Sequence, residues 1–425
     1  MKPKLTGELN RLRDVVIHRP GPELDRMVPE NLEATISDNS GQIRDNPNYL
    51  LFDDLVLLSK LQKEHDQINK VLRACCGDDH AHQVRDLLRT LLHDPKAREW
   101  VVDESIQIEH EYWGQSVSQK DRHQMLDLDP HNLLKTLTRG TFSDGYQVLK
   151  WPTPNMIFTR DLAAIVGENV VLTYAKKNAR RREMALTRAL FRHHPFFKDC
   201  AVIDIGDSVP DAALEGGDIL VLGPNKVAIG VSERTTLESA QAAARALLKT
   251  SVDVVYLVSI LAHRSTMHLD TIFTLIHHDQ CLAYAPLIVE TAGVEIRSMT
   301  GSGKEEARSG SLLDVLAADG LTLNPVLCGG DDPIHQAREQ WSDGANAFAM
   351  APGKILLYAR NEHTLRQLNS VGYEVLTPDA FCRNAGLILD DPTRNVVVAI
   401  DGSELSRGRG GPRCLTLPLK RDTAG

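Results

Sequence analysis

Four short stretches of the chain hold side chains able to do chemistry. They are NMIFTRD with Asn155, Phe158, Arg160 and Asp161; LEGGDIL with Glu215 and Asp218; MHLDTIF with His268 and Asp270; and SRGRGGPRCLTLPL with Arg409 and Cys414. A cysteine served by a histidine suits covalent attack on an sp² carbon. Several carboxylates converging on one point suit a cationic electrophile, whereas an ester or amide hydrolase needs donors for an oxyanion. A guanidinium is planar, permanently cationic and rich in donors, so it fits such a group of acids. Arg180 in ARRRE and Arg234 in SERTT add forked donors of the kind that hold a carboxylate.

Each stretch alone has a plainer explanation. Read on a strand, His268 and Asp270 share one face, as any residues two apart do. Arg160 and Asp161 read as a structural ion pair, and LEGGD reads as a turn before a strand. GSGK at 301–304 resembles the end of a phosphate loop, but Glu305 stands where a magnesium-binding Ser or Thr is required. SRGRGG also has the look of a nucleic-acid-binding tail. The formal net charge of -9 opposes contact with a phosphate backbone and weighs against a nucleic-acid partner.

The elements that would carry these stretches repeat. GGDILVLG, KVAIGV, the helical TLESAQAAARALLKT and VDVVYLV give strand, strand, helix, strand over 214–258. The same order recurs over 157–204 and 347–376, and less regularly from MHLDTIFTLI to SLLDVLAADG. DVVIHRP with its following helix at one end of the chain, and RCLTLPL at 413–419 at the other, complete a fifth ββαβ unit if they join. The expectation is an α/β ring whose equivalent segments point at a shared centre. Residues 78–142 break the pattern with leucines at helical spacing, so they are expected to form an inserted α-helical subdomain in a catalytic body of residues 1–77 and 143–425. Residues 381–400 have no place in the repeats.

The composition, 42% hydrophobic and 25% charged, is globular. MKPKLTGELNRLRDVV has no signal-peptide core, and no stretch approaches the roughly 18 apolar residues of a membrane helix. A cytoplasmic protein with no membrane partner is expected. Seven cysteines without a CxxC pair suggest neither a disulfide framework nor a metal site.

In order along the chain, LRDVVIHRPGPELDRM, LLFDD with KEHD, NMIFTRD, ARRRE, LEGGD, ERTT, MHLDTIFT, REQWSDGANAFAMAPG, YARN and RGRGGPRCLTLPL resemble the arginine deiminase family of the guanidino-group-modifying superfamily. The resemblance covers nearly the whole chain. It implies a five-bladed pseudo-symmetric α/β propeller with a helical insertion, and hydrolysis of free L-arginine to L-citrulline and ammonia without metal or organic cofactor. Carried onto matching positions, it implies Cys414 as nucleophile, His268 as general acid and base, Asp161 and Asp270 as grips on the guanidinium, and Glu215 as support for His268. It implies Arg180, Arg234 and Asn155 as ligands of the α-carboxylate, Phe158 as a surface against the substrate, and Arg409 in the turn before the nucleophile. A homo-oligomer is expected. Two other readings share the fold: an amidinotransferase that passes the amidino group to an amine, and a non-catalytic arginine-binding protein. LFDD, ERTT and REQW favour the deiminase over the first, and the presence of Cys414 disfavours the second.

Overall fold

The computed structural model describes residues 1–37, 40–290 and 294–423. It is a mixed α/β structure built from one recurring unit. Strands Ile219–Gly223 and Lys226–Val231 pair antiparallel, and helix Leu237–Leu247 returns the chain to Val254–Ser259, parallel to Lys226–Val231. Thr236 starts the helix by accepting from Ser239 N. Ala240, Ala243, Ala244 and Leu247 form the helical stripe that packs on the sheet.

Four more copies follow this plan. Ala163–Val166, Asn169–Leu172 and Ala201–Ile203 accompany helix Arg181–His193, and Phe273–His277, Gln280–Ala283 and Asn324–Leu327 accompany helix Leu312–Ala318. Phe348–Ala351 and Lys354–Tyr358 begin a copy that contains helix Glu362–Ser370. The last copy is assembled from both ends of the chain. Leu417–Arg421 lies antiparallel to Leu12–Ile17, with Val16 opposite Leu417, and Ala81–Gln83 lies parallel to Leu12–Ile17 after helix Leu58–Cys76. The expected union of the two ends is therefore present, and it anchors the segment just after Cys414.

Buried side chains connect one unit to the next. Val16, Leu417 and Leu419 share a core with Ala163–Val166, Ile219 and Val227. Leu220 and Ala228 share another with Phe273, Leu275 and Ile355, and Leu356 and Val398 share a third with Val15 and Ile17. Helices Val84–Leu91, Pro95–Trp113, Gln119–Asp127 and Pro130–Arg139 occupy most of the segment read as helical, and their leucines and valines join the first of these cores. Among the described residues no helix is long and apolar enough to cross a membrane.

Two readings of the repeats are corrected. Tyr373–Leu376 is not the inner strand of its unit; Asn395–Ile400 lies parallel to both Lys354–Tyr358 and Tyr373–Leu376, between them. The unplaced 381–400 segment thus supplies a central strand. NVVVAI is apolar on both faces, as a covered parallel strand requires, whereas Glu374 and Val375 of YEVL are exposed, as on an edge. Phe381, Ile388 and Leu389 of the preceding short helices pack with Ile68 and Val71 of helix Leu58–Cys76. GSGK is the turn of a hairpin, Glu295–Thr300 with Glu305–Arg308, that extends the neighbouring sheet beyond Val254–Ser259.

The terminal strand should be a structural necessity. Leu419 is fully buried, so Leu419→Ala is expected to lower the unfolding free energy by about 2–5 kcal/mol in urea titrations. A change below about 0.5 kcal/mol, the scale of surface substitutions, would show that the C-terminal strand does not close the core.

Candidate active site

The segments bearing the candidate residues converge in one buried site. Its small cavity, about 10 Å³, is lined by Asn155, Phe158, Asp161, Arg180, Arg234, His268, Arg409 and Cys414 together with Leu51, Arg264, Met267 and Gly408. Asp270 and Glu215 lie immediately behind this lining, in contact with Cys414 and His268 respectively. All ten candidate residues are therefore in the same neighbourhood, and all are buried.

Cys414 follows a close-packed glycine turn. A Cβ on Gly410 would stand 2.5 Å from the Phe158 ring and 3.1 Å from Cys414 Cβ, so no larger residue fits without displacing one of them. Cys414 N donates to Asn346 Oδ1 at 3.1 Å, and its carbonyl accepts from Arg160 N at 3.0 Å. Asn346 also donates through Nδ2 to the Asp270 carbonyl at 3.0 Å, joining the Cys414 turn to the MHLDTIF segment. The sulfur is 3.7 Å from Asp270 Oδ2 and 4.0 Å from Oδ1. Burial, followed by the charges of Asp270, Asp161 and Asp343, pushes the Cys414 thiol well above its ordinary range, with Arg413 opposing.

His268 and Asp270 do not share the face of a strand. His268 is extended, Leu269–Thr271 is a 3₁₀ turn, and the strand starts only at Phe273. Thr271 Oγ1 donates to the His268 carbonyl at 2.6 Å and stabilises that turn. The two side chains consequently have different partners. His268 Nε2 is 2.9 Å from Glu215 Oε2, and Nδ1 is 3.8 Å from Asp161 Oδ1. Burial acts to lower the imidazole pKa, but Asp161, Glu215 and Asp218 more than offset it and raise the value to about 9. Glu215 moves the opposite way: burial would raise it, yet Arg180, Arg234 and His268 lower it to about 2.

FTRD is likewise a 3₁₀ turn, Thr159–Leu162, ahead of its strand. Asp161 pairs with Arg180 rather than with its neighbour Arg160, Arg180 Nη1 donating to Asp161 Oδ2 at 2.6 Å and to Glu215 Oε2 at 3.2 Å. Arg180 Nε reaches Glu183 Oε2 at 3.2 Å, and Nη2 reaches the carbonyls of Asn155 and Phe158 at 3.3 Å each. Glu183 Oε1 in turn accepts from Asn155 N at 2.8 Å. Ligand atoms of Asp161, Glu215 and His268 lie within 4.8 Å of one another, a geometry that could hold a cation. The cation seated against both carboxylates is the Arg180 guanidinium.

Gly217 permits this packing. A Cβ there would be 2.8 Å from both Asp161 Oδ1 and the His268 ring, whereas the glycine N–H donates to Asp161 Oδ1 at 3.1 Å. Asp218 knits the surrounding loops by accepting from Thr235 Oγ1 at 2.6 Å, Ser232 Oγ at 2.7 Å and Leu269 N at 2.8 Å. Arg234 Nη1 stands 3.6 Å from Glu215 Oε2. Arg409, in the left-handed region with φ 61°, lies 3.7 Å above the Trp341 ring and donates to the Ser265 carbonyl at 3.3 Å. Sequence reasoning missed Asn346, Glu183 and Glu8. Asn346 sits in DGANAFA, where alternation marks only a strand entrance, and Glu8 meets Arg413, the residue before Cys414, only once the chain ends join.

The family description "Arginine deiminase" matches residues 48–421. Curated relatives named arginine deiminase include one from Mycoplasma capricolum, 32% identical over 98% of this chain and 96% of its own, and one from Mycobacterium marinum, 33% identical over 98% and 97%. Among solved structures, unliganded AgrE aligns with a TM-score of 0.50 at 13% identity, covering 98% of this chain and 40% of that longer one.

The His268 environment has a measurable consequence. A folded-state pKa raised from 6.5 to about 9 stabilises the fold fully below pH 6.5, and that stabilisation is lost as pH rises through about 9. Unfolding free energy is expected to fall across this window, and His268→Gln is expected to flatten the fall. Nuclear magnetic resonance titration should find the His268 ring still protonated at neutral pH; a ring that titrates near 6.5, its ordinary value, would contradict the described contacts with Glu215 and Asp161.

Proposed function

The chain belongs to the arginine deiminase family, hydrolases of the pentein superfamily, and from that premise we propose that it converts free L-arginine and water to L-citrulline and ammonia through a covalent bond to Cys414. One observation carries the reading: the site already cradles a guanidinium, that of Arg180, between Asp161 and Glu215. Carboxylates so placed would be destabilised by a neutral amide or ester and stabilised by a permanent planar cation.

In this mechanism the substrate guanidinium takes its place against Asp161 and Asp270, and Phe158 packs along its stem. Arg180, Arg234 and Asn155 receive the α-carboxylate, which requires the Arg180 guanidinium to turn away from Asp161. A cavity of about 10 Å³ holds hardly one water, so binding also requires the turn bearing Gly408 and Arg409 to lift. The empty site holds a protonated His268 and a neutral Cys414. The arriving cation offsets the carboxylates that keep the thiol neutral, and the thiol proton leaves as the substrate binds.

Cys414 Sγ then bonds to the guanidinium carbon, and His268 gives its proton to the departing nitrogen, which leaves as ammonia. The product is an S-alkylthiouronium on Cys414. Water adds to the same carbon while neutral His268 takes its proton; the C–S bond breaks, the sulfur regains its original state, and citrulline is released. Glu215 holds His268 in orientation through both half-reactions. The five units, sharing cores in succession, are read as a five-bladed propeller around this site, with the helices from Val84 to Arg139 as an insertion; its expected start at 78 moves past strand Ala81–Gln83, which belongs to the last unit. The same reading makes the protein a cytoplasmic homo-oligomer that uses neither metal nor organic cofactor.

Incubation with L-arginine alone is expected to yield citrulline and ammonia in equal amounts, and Cys414→Ala to yield neither. Equal turnover by the two proteins would remove Cys414 from the mechanism, while ornithine formed only with an added amine would identify an amidinotransferase. Thiol titration tests the substrate-assisted step: a non-reacting cationic analogue of arginine should increase the Cys414 thiolate signal. A thiolate signal equally large in the free enzyme would refute ionisation on binding.

A further inference from the structure

Glu8 lies at the other end of the sequence from Cys414, yet its carboxylate is buried against the residue that precedes the nucleophile. Arg413 Nε donates to Glu8 Oε2 at 2.9 Å, and Nη2 donates to Glu8 Oε1 at 2.5 Å and to the Ile219 carbonyl at 2.9 Å. The remaining nitrogen, Nη1, donates to Asp270 Oδ2 at 2.7 Å. One guanidinium thus serves two carboxylates unequally, bidentate to Glu8 and through a single bond to Asp270. Both Asp270 oxygens lie near Cys414 Sγ, Oδ2 at 3.7 Å and Oδ1 at 4.0 Å, and Arg413 bonds to Oδ2. Glu8 is itself fixed to the strand that follows LEGGD: its N–H donates to the Val221 carbonyl at 3.1 Å, and its Oε1 accepts from Val221 N at 3.2 Å.

We infer that Glu8 is a positioning residue for the guanidinium subsite, holding Arg413 by two of its donors so that Asp270 keeps one oxygen free for the substrate cation. The inference rests on the proposed role of Asp270 as a guanidinium ligand. Arginine prefers a bidentate grip on a carboxylate, and within a buried site an uncompensated cation is strongly drawn to the nearest anion. Without the Glu8 charge, that anion is Asp270. Arg413 would close on it with both terminal nitrogens and compete with the substrate for the same oxygens. The three side chains leave little room for another outcome, since Glu8 is 8% exposed, Arg413 1% and Asp270 0%. Arg160 and Arg421, which also lie in the field of Glu8, would add to the excess of positive charge.

Calorimetric binding of L-arginine to the Cys414→Ala protein separates this inference from the reading beneath it. Cys414→Ala is expected to bind arginine, and Glu8→Gln in that background to bind it about tenfold more weakly, or worse. In the enzyme with Cys414 intact, Glu8→Gln should raise KM more than it lowers kcat. Glu8→Asp keeps the charge but shortens its reach, so it should weaken binding by a smaller factor; it also serves as the probe if Glu8→Gln does not fold. Unchanged arginine affinity in the folded variants, with only a lower melting temperature, would reduce Glu8 to a structural role and overturn the inference. Failure of Cys414→Ala itself to bind arginine would reject the substrate assignment, and the inference with it.

Discussion

The constraint on which the site depends is the confinement of several carboxylates in a volume that excludes water. Asp161, Glu215, Asp218 and Asp270 are all buried, and charges in such a medium interact several times more strongly than at the surface. The fold balances them with equally buried guanidinium groups: Arg180 on Asp161 and Glu215, Arg234 near Glu215, and Arg413 on Asp270 and Glu8. Two of the pairs, Arg180 with Glu215 and Arg413 with Asp270, join different units, so the charge balance is complete only when the units are assembled. Breaking one member of such a pair leaves an unpaired buried charge and costs far more than the pair contributes as a whole. The site is therefore also a device that couples the units to one another.

The same electrostatics set the resting protonation of the two reactive groups. Burial together with negative neighbours raises the cysteine thiol, and negative neighbours raise the imidazole against the effect of burial, which favours a neutral sulfur beside a charged ring. A cysteine paired directly with histidine would form a resident thiolate. Here the sulfur meets Asp270 and the imidazole meets Glu215, and the two groups are adjusted by the carboxylates rather than by each other. On the proposed mechanism, reactivity then depends on a cation arriving from outside, which keeps the buried sulfur from attacking neutral compounds.

Much of the fold could be read in the sequence because its signals are local. KVAIGV followed by an amphipathic helix and VDVVYLV declares a unit without reference to the rest of the chain, and the units over 157–204 and 214–258 are legible for that reason. The unit holding Asn395–Ile400 was misread because YEVL, arriving first after the helix, has the right length, and only burial on both faces distinguishes NVVVAI as the inner strand. The ten candidate site residues all lie in one neighbourhood, but their pairings could not be read. His268 and Asp270 diverge because a hydrogen bond from Thr271 tightens a 3₁₀ turn where alternation suggests a strand. The bond from Arg180 to Asp161 spans two segments of one unit, and that from Glu8 to Arg413 spans the chain ends, so neither leaves a mark in sequence spacing.

Arg180 joins electrostatics to specificity. In the free protein its guanidinium rests on the carboxylates that the proposed reaction assigns to, or places beside, the substrate guanidinium. On the proposed reading, binding exchanges one guanidinium for another on Asp161 and adds a cation beside Asp270, the carboxylate nearest Cys414. The displaced Arg180 must find a new anion, because a buried arginine without one is unstable. On that reading, L-arginine brings that anion as its α-carboxylate. A substrate with a guanidinium but no carboxylate offers the exchange only one half of what it needs, and leaves Arg180 competing for Asp161. On the proposed reading, discrimination for the free amino acid therefore arises at both ends of the substrate from one side chain, in a site whose side chains close around a cavity of about 10 Å³.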